Sequence, residues 1–508
     1  MSRKKSFITN TFSNVAFNLL TQAVGFFIIP LFVKGLGQEL FGIWILSKTI
    51  VGYFSLLDLG VSGGIVKFIS ESKAVNDDEG INSTINTSLI FYTFIGVLVF
   101  IVVFFFPVHI VSLFKVTSVN FNTAVNVLKI SAVLALFSWP SMTFSSTMEG
   151  LMKYTHKNIF LGISSLLNSI IVLVLVNFNF TLEQILIFSS LANLIPWIGN
   201  IYVVKYVSKV WKFSFSSLSL KRTKEIFSFS LWVLVQQLIV LLIYQTDQII
   251  IGVFLPVATI TIYSVVTKLF YIVRGLNGTF FNVIWPTVFA ASKINDISFI
   301  HKVTLKGSKY ISLIIVPLST LGFLVSHNFI QAWMGREYAD YAIWAQLLFA
   351  VWFFSPMFGV FGNVLVATGN IKLINLFGVI STPINVGIGI FLTPRIGIGG
   401  VILGTVITYT LLMIIEFPIF MKRLKLDWRS VLYPNLRIIF TSVLIMIFGY
   451  FVFNLFEFTA MKHLFIFSGI YLTISYGVLL AIFLEKEEKT NLRNFIHSTF
   501  LYKAIFIS

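Results

Sequence analysis

The chain has 508 residues, of which 57% are hydrophobic and only 11% charged, with a mean hydropathy of +0.93. Soluble domains are about half apolar and a quarter charged, so this composition excludes an ordinary soluble domain and calls for lipid as solvent. The absence of cysteine excludes disulfides, thiolate catalysis and cysteine-ligated metal. A net charge of +17 would suit nucleic acid if it were gathered in one basic domain. Here the Lys and Arg are scattered among short connections, which excludes nucleic acid as a partner and points to membrane topology.

A membrane-crossing helix needs about twenty mostly apolar residues at 1.5 Å each. In chain order such runs occupy 12–33, 42–65, 87–108, 124–148, 159–176 and 184–204. After a polar, basic stretch at 205–225 come six more, at 229–255, 258–291, 310–330, 341–367, 373–392 and 399–420. Runs at 438–456 and 464–484 precede a charged tail. The first run follows Met1-Ser2-Arg3-Lys4-Lys5 and lacks a small-residue cleavage site, so it reads as an uncleaved helix. The expectation is an all-α, polytopic membrane protein of about fourteen helices. It divides into an N-terminal six-helix lobe (1–204), a basic cytoplasmic linker (205–226), a second six-helix lobe (227–421), extra helices 13 and 14 (422–484) and a cytoplasmic tail (485–508).

Cytoplasmic loops retain Lys and Arg. With the N-terminus inside, about 27 of the 36 basic residues are cytoplasmic and 4 lie within spans. Five are outside: Lys34, Lys115, Arg336, Arg395 and Lys462. Both termini are therefore expected in the cytoplasm. The 258–291 run is too long for one crossing; it must protrude, tilt or break, and Gly275, Gly278 and Pro286 are the places where a break is cheapest. A cytoplasmic extension of the helix is the other reading. Displacing the chain by about 219 residues sets Ile43-Trp44 on Ile262-Tyr263 and Gly150 on Gly369, and a shift of 217 sets Asn168 on Asn385. Each half starts after a basic stretch, so the two halves of this repeat run parallel.

Ionisable groups inside a membrane are costly and are functional candidates. Lys48 in the second run and Lys268 in the eighth occupy corresponding helices, and Arg274 lies about 9 Å beyond Lys268. They are the candidate substrate-binding residues of a cationic central cavity suited to a phosphate or acidic sugar. The competing reading is that they snorkel or pair privately. Asp247, at a depth similar to Lys268, could pair with it and act in coupling or gating, or be structural. Asp58 is a second coupling or gating candidate. For Asp58, Glu149, Glu416 and Lys129, near span ends, local anchoring is the plainer reading. Gly60 to Gly64 and Gly400 to Gly404 permit close helix packing, and Trp44, Trp333 and Trp344 suit the membrane interface.

The six histidines show no metal spacing, and no phosphate-binding loop is present, so no catalytic residue, metal or cofactor is expected. Short outer connections with scattered acids disfavour a membrane glycosyltransferase or polymerase. Together, residues 35–44 (Gly-Leu-Gly-Gln-Glu-Leu-Phe-Gly-Ile-Trp), Asp58-Leu59-Gly60, Asp247-Gln248-Ile249-Ile250-Ile251-Gly252, Ala367-Thr368-Gly369-Asn370 and 394–400 (Pro-Arg-Ile-Gly-Ile-Gly-Gly) resemble the Wzx-like polysaccharide transport family of the MOP exporter superfamily. The resemblance implies two six-helix lobes around a cavity with alternating access. The function it implies is a flippase of the bacterial cytoplasmic membrane, moving an undecaprenyl-diphosphate-linked oligosaccharide, the repeat unit of an O-antigen or capsule, to the outer leaflet. The partners it implies are that lipid-linked glycan, membrane lipid, a polysaccharide polymerase and other assembly proteins. In lipid II flippases of the superfamily two extra C-terminal helices form a groove for the lipid tail, and helices 13 and 14 are expected to do likewise. The alternative is a cation-coupled drug or metabolite antiporter of the same superfamily, which Asp247 alone supports.

Overall fold

In hydrocarbon every backbone N–H and C=O must be paired within the protein, which leaves helices as the economical solution. The computed structural model describes residues 25–26, 28–214, 238, 242, 245–454 and 460–490, with the side chains of all but 277–287, 289, 290 and 293. Within these the chain is helical apart from short connections and one bridge pairing Lys115 with Pro256. Helix α1 (28–36) leads through Gly37 to α2 (Gln38–Tyr53), which tightens into a 3-10 turn (Phe54–Asp58) before α3 (Val61–Ala74). There follow α4 (Asp78–Phe105), α5 (Phe121–Gly150), α6 (Tyr154–Asn177), α7 (Leu182–Val207) and α8 (245–254). The remainder comprises α9 (Ala258–Lys293), α10 (Ile297–Met334), α11 (Ala342–Val351), α12 (Ser355–Ala367), α13 (Ile371–Ile396), α14 (Gly399–Leu424), α15 (Trp428–Asn454) and α16 (Met461–Phe483).

Among the described residues, 11 helices are long and apolar enough to cross a membrane, and α11 with α12, bent by 49° at their break, makes up to 12. These match predicted spans 2 to 6 and 8 to 14 in order. Most of span 1, much of span 7, linker residues 215–226 with Lys221, Arg222 and Lys224, and the tail beyond 490 lie outside the described residues.

The sequence repeat has structural counterparts. Asn168 of α6 donates to the Ser189 carbonyl of α7 (3.0 Å), and Asn385 of α13 donates to the Thr405 hydroxyl of α14 (3.2 Å). The same amide thus ties the fifth span to the sixth and the eleventh to the twelfth. The halves differ at one point. After α2, Leu59 (φ 49°) and Gly60 (φ 75°) turn the chain through the left-handed region, and α3 begins. The 219-residue displacement puts this turn on Asn277-Gly278-Thr279 and α3 on 280–293, where α9 simply continues to Lys293. The break considered at Gly275, Gly278 or Pro286 is therefore absent. The long run is one unbroken 36-residue helix, about 54 Å, and its second part is the counterpart of α3.

The chain forms two compact units, Met1–Val265 with Gly378–Thr405 and Val266–Phe377 with Val406–Ser508. In the first, α5 is the central helix, packed by α2, α3, α4 and α7. Close approach depends on missing side chains. A Cβ on Gly96 of α4 would stand 3.2 Å from the Ala135 carbonyl of α5, and one on Gly150 would stand 2.8 Å from Ile69 of α3. Gly404 is equally tight, 2.8 Å from the Asn385 carbonyl, as its spacing predicts.

In the second unit α10 is central, contacted by α11, α12, α15 and α16; 67% of its apolar window is buried, against 17% for α16. Lipid offers little hydrophobic drive for helices to associate, so packing and interhelical hydrogen bonds carry the load. Ser312 donates to the Asn435 side chain of α15 (2.7 Å), and Tyr471 of α16 donates to Thr320 (3.0 Å). Trp333, expected at the interface, is buried instead and packs on Phe329. The outward faces are apolar, with Phe440, Phe448 and Phe451 of α15 exposed.

Beyond α16 the start of the tail is tied back to α10. The Glu488 carboxylate accepts from Lys309 (2.8 Å) and Tyr310 (2.5 Å), with Lys306 at 3.4 Å. Burial works against its charge, but the bonds from Lys309 and Tyr310 outweigh this and draw its pKa down to about 2.

This packing can be tested at two points. A Cβ on Gly322 of α10 would lie 2.5 Å from the Phe349 ring of α11, so Gly322→Leu should cost about 1–3 kcal/mol, read as a lower thermal midpoint in detergent and partly restored by adding Phe349→Ala. At pH 7, Glu488→Gln should speed amide exchange across 485–490. Because Glu488 is depressed from its ordinary value of 4.5, its contribution in the wild type is whole above that pH and is lost as pH falls towards about 2. Exchange at pH 5 should therefore still show the tie.

Candidate functional site

Lys48 projects from α2 between Ser47 and Thr49, which are buried while the lysine is exposed. Its ammonium lies 3.5 Å from the centre of the Trp44 ring, one turn earlier, and Trp44 in turn stacks on Phe32 of α1 (4.6 Å, 15°). A cation on an indole face is held electrostatically without consuming its hydrogen-bond donors. No carboxylate pairs with Lys48 among the described residues.

A neighbouring face of α2 is joined to α8 by polar contacts. Thr49 bonds to Gln248, Tyr53 to Thr246 (2.6 Å), and Gly52 faces the Gln245 side chain so closely that a Cβ would come within 2.6 Å of its oxygen. That Gln245 oxygen is buried and accepts no hydrogen bond among the described residues. Asp247, on the next turn face, is buried and accepts from the Tyr263 hydroxyl of α9 (2.6 Å). Its hydrogen-bond partner among the described residues is thus a phenol.

Lys268 and Arg274 lie on α9 within Ala258–Leu276, a stretch long and apolar enough to cross a membrane, and both are half-buried. Lys268 has no hydrogen bond or ion pair among the described residues. The Arg274 guanidinium lies 5.7 Å from the Tyr271 ring. Six residues on an unbroken helix turn through about 600°, so these two cations stand about 120° apart around α9 and about 9 Å apart along it. They form a spiral pair, not a column on one face.

Asp58 is placed as a helix cap. Its carboxylate accepts from the Ser62 backbone N–H (3.2 Å), the Ser62 hydroxyl (2.8 Å) and the Tyr92 hydroxyl, which satisfies the exposed start of α3 just after the left-handed turn. Glu149 pairs with Lys157 across the α5–α6 connection. Lys129 stands 6.0 Å from the Phe104 ring. Glu416 is half-buried on α14 without a hydrogen bond or ion pair among the described residues. Within the described residues no group of three or more His, Asp or Glu is arranged to hold a metal ion.

Sequence reasoning missed a staple at the 112–120 connection. The Glu39 carboxylate accepts from the Thr117 N–H (2.8 Å), the Thr117 hydroxyl (3.0 Å) and Asn120 (2.7 Å), while Lys115 donates from its backbone to Gly252 (2.9 Å) and from its ammonium to Phe254 (2.7 Å). This explains the acidic position in the 35–44 motif. An apolar groove of about 470 Å³ lies between α15 and α16, the pair for which the resemblance implied one, lined by Ile445, Phe448, Val452, Phe467 and Ile470, with His463 at one end.

Among solved structures, the chain is similar to the lipid II flippase MurJ in its inward closed conformation, with a TM-score of 0.69, 17% identity, and coverage of 92% of this chain and 99% of that one. It is also similar to an inward-facing MATE-family multidrug-resistance transporter of the MOP superfamily, with a TM-score of 0.67 and 16% identity over 80% of this chain and 94% of that one. The fold is that of this superfamily. Sequence relatives include the uncharacterized membrane protein EpsK of Bacillus subtilis (strain 168), 22% identical over 82% of this chain and 83% of EpsK. Another, 22% identical over 60% of this chain and 71% of its own, is a Shigella flexneri protein named provisionally as an O-antigen transporter. The family model for polysaccharide biosynthesis proteins matches residues 7–292. With more than half its length accounted for by that model, this multi-pass membrane protein belongs to the polysaccharide biosynthesis protein family.

Proposed function

We propose that the chain is a flippase for a lipid-linked glycan, carrying an undecaprenyl-diphosphate-linked oligosaccharide, the repeat unit of a surface polysaccharide, from the cytoplasmic to the outer leaflet by alternating access. On this reading it resides in the bacterial cytoplasmic membrane with both termini inside, its six-helix lobes are 1–204 and 227–421, and a polysaccharide polymerase acts downstream. Family membership, the Shigella relative's name and the fold shared with the lipid II flippase support the cargo class.

The observation that carries the reading is the pair of lysines, Lys48 and Lys268, each within a membrane-crossing helix and each without a carboxylate partner among the described residues. An ionised side chain at mid-bilayer costs about 2.5–3.5 kcal/mol on insertion scales. A diphosphate offsets that cost through charge-assisted hydrogen bonds, and a neutral cargo does not. Lys48, Lys268 and Arg274 are the proposed headgroup ligands. The groove between α15 and α16 suits the isoprenoid tail, since it is apolar along its length.

A second reading, a cation-coupled drug or metabolite antiporter, is favoured by one observation, the buried Asp247 carboxylate with its single described bond from Tyr263. Deletion separates the two. Loss of surface polysaccharide supports the flippase, whereas intact polysaccharide with new sensitivity to cationic drugs supports the antiporter. At normal expression, Lys48→Ala, Lys268→Ala and Arg274→Ala should each lower complementation about tenfold or more, the size expected for one lost bond to a charged group. Full activity in all three would remove the site assignment.

A further inference from the structure

The Trp428 end of α15 carries charge that the proposed transport site does not use. Arg429, Tyr433 and Arg437 follow one another at intervals of four, so they form one stripe about 12 Å long, and all three are exposed. The Arg429 guanidinium lies 5.3 Å from the Trp428 ring, and the Arg437 guanidinium lies 5.4 Å from both Tyr433 and Phe483 of α16. Rings from two helices therefore hold Arg437 in place while leaving its N–H donors open.

Neither arginine has a hydrogen bond or ion pair among the described residues. Of the acids nearby in sequence or packing, Glu488 and Asp427 are engaged elsewhere, while Glu485 and Glu487 are exposed beyond the end of α16 and make no ion pair with either arginine among the described residues. Glu488 is bound by Lys306, Lys309 and Tyr310, and Phe483 packs with Tyr310 against the same cluster of Leu313, Ile438 and Leu479. The Asp427 carboxylate accepts from the Ser430 N–H (3.2 Å). No Asp or Glu follows Glu488 in the sequence. Exposed Trp428 and Tyr433 mark the level of the membrane interface. From Phe440 through Leu444, Ile447 and Phe451 the exposed surface of the same helix is apolar. The stripe thus sits where headgroups meet hydrocarbon, with positive charge on the headgroup side and bare apolar surface for chains beyond it.

We propose that this stripe is a docking site for an anionic phospholipid of the leaflet at the Trp428 end of α15, its phosphate held by Arg437 and Arg429 and its chains lying on the surface beyond Phe440. Arg presents a planar fork of donors that matches phosphate, and an interfacial basic residue favours anionic lipid by roughly fivefold. The site is independent of the transport reading.

The test is a lipid titration of the full-length protein in detergent, followed by native mass spectrometry, with phosphatidylglycerol and phosphatidylcholine as probes. Phosphatidylglycerol should bind the wild type in preference, with Arg437→Gln and Arg429→Gln each weakening it roughly fivefold and the double variant losing the preference. Phosphatidylcholine binding should stay unchanged in all of these, which also reports that they are folded, and Arg395→Gln, at an exposed arginine on α13, should behave as wild type. Equal binding of the two lipids by the wild type, or a preference retained by the double variant, would overturn the proposal. Displacement of phosphatidylglycerol by equimolar inorganic diphosphate would overturn it as well, since the chains would then contribute nothing. So would stronger binding of undecaprenyl phosphate lost in the same variants, which would make the stripe a cargo-loading surface.

Discussion

The demand that hydrocarbon places on polar groups governs this molecule. An unpaired N–H or C=O costs several kcal/mol where no water can reach it, so the backbone closes on itself in helices and several buried side-chain hydroxyls bond back to it. Thr84, Ser88, Thr147 and Thr304 each donate to the carbonyl four residues earlier, at 2.7 Å. What remains for joining helices is a small set of amides and hydroxyls facing across interfaces, such as Asn168, Asn385, Asn435 and Tyr471, together with glycines where backbones nearly touch. Each unit is accordingly arranged around one helix, α5 or α10, that bears such contacts on several sides.

The same constraint separates structural polar groups from candidate functional ones. Asp58 looks anomalous in an apolar run, yet its role is local. Two consecutive residues at positive φ end one helix, and the orphan donors of the next need an acceptor. Glu149 and Glu39 are likewise absorbed, by Lys157 and by the 117–120 turn. Lys48 and Lys268 differ because no carboxylate answers them among the described residues. Their charge is the remainder after the fold's own requirements are met, and that gives the transport reading its physical basis.

Segments that the 219-residue displacement brings together need not share a conformation, and they part at the turn after α2. Where the first half stops α2, inserts a left-handed pair and restarts with a capped α3, the second half runs on as α9.

The sequence by itself determined the solvent, the order of the spans among the described residues and the identity of the ions within them. These depend on composition and on the length of apolar runs, which are local properties. It also carried the short motifs through which the family resemblance is visible. Only the tertiary structure decided which charges are satisfied, because that depends on groups brought together from distant positions: Tyr92 on Asp58, Tyr263 on Asp247, and Lys309 on Glu488 across 179 residues. It also decided that the long eighth run is unbroken and that α15 and α16 leave a groove between them. Hydropathy is blind to both, since glycine and proline permit a break without requiring one, and a long apolar run carries no mark of the side that meets a neighbour.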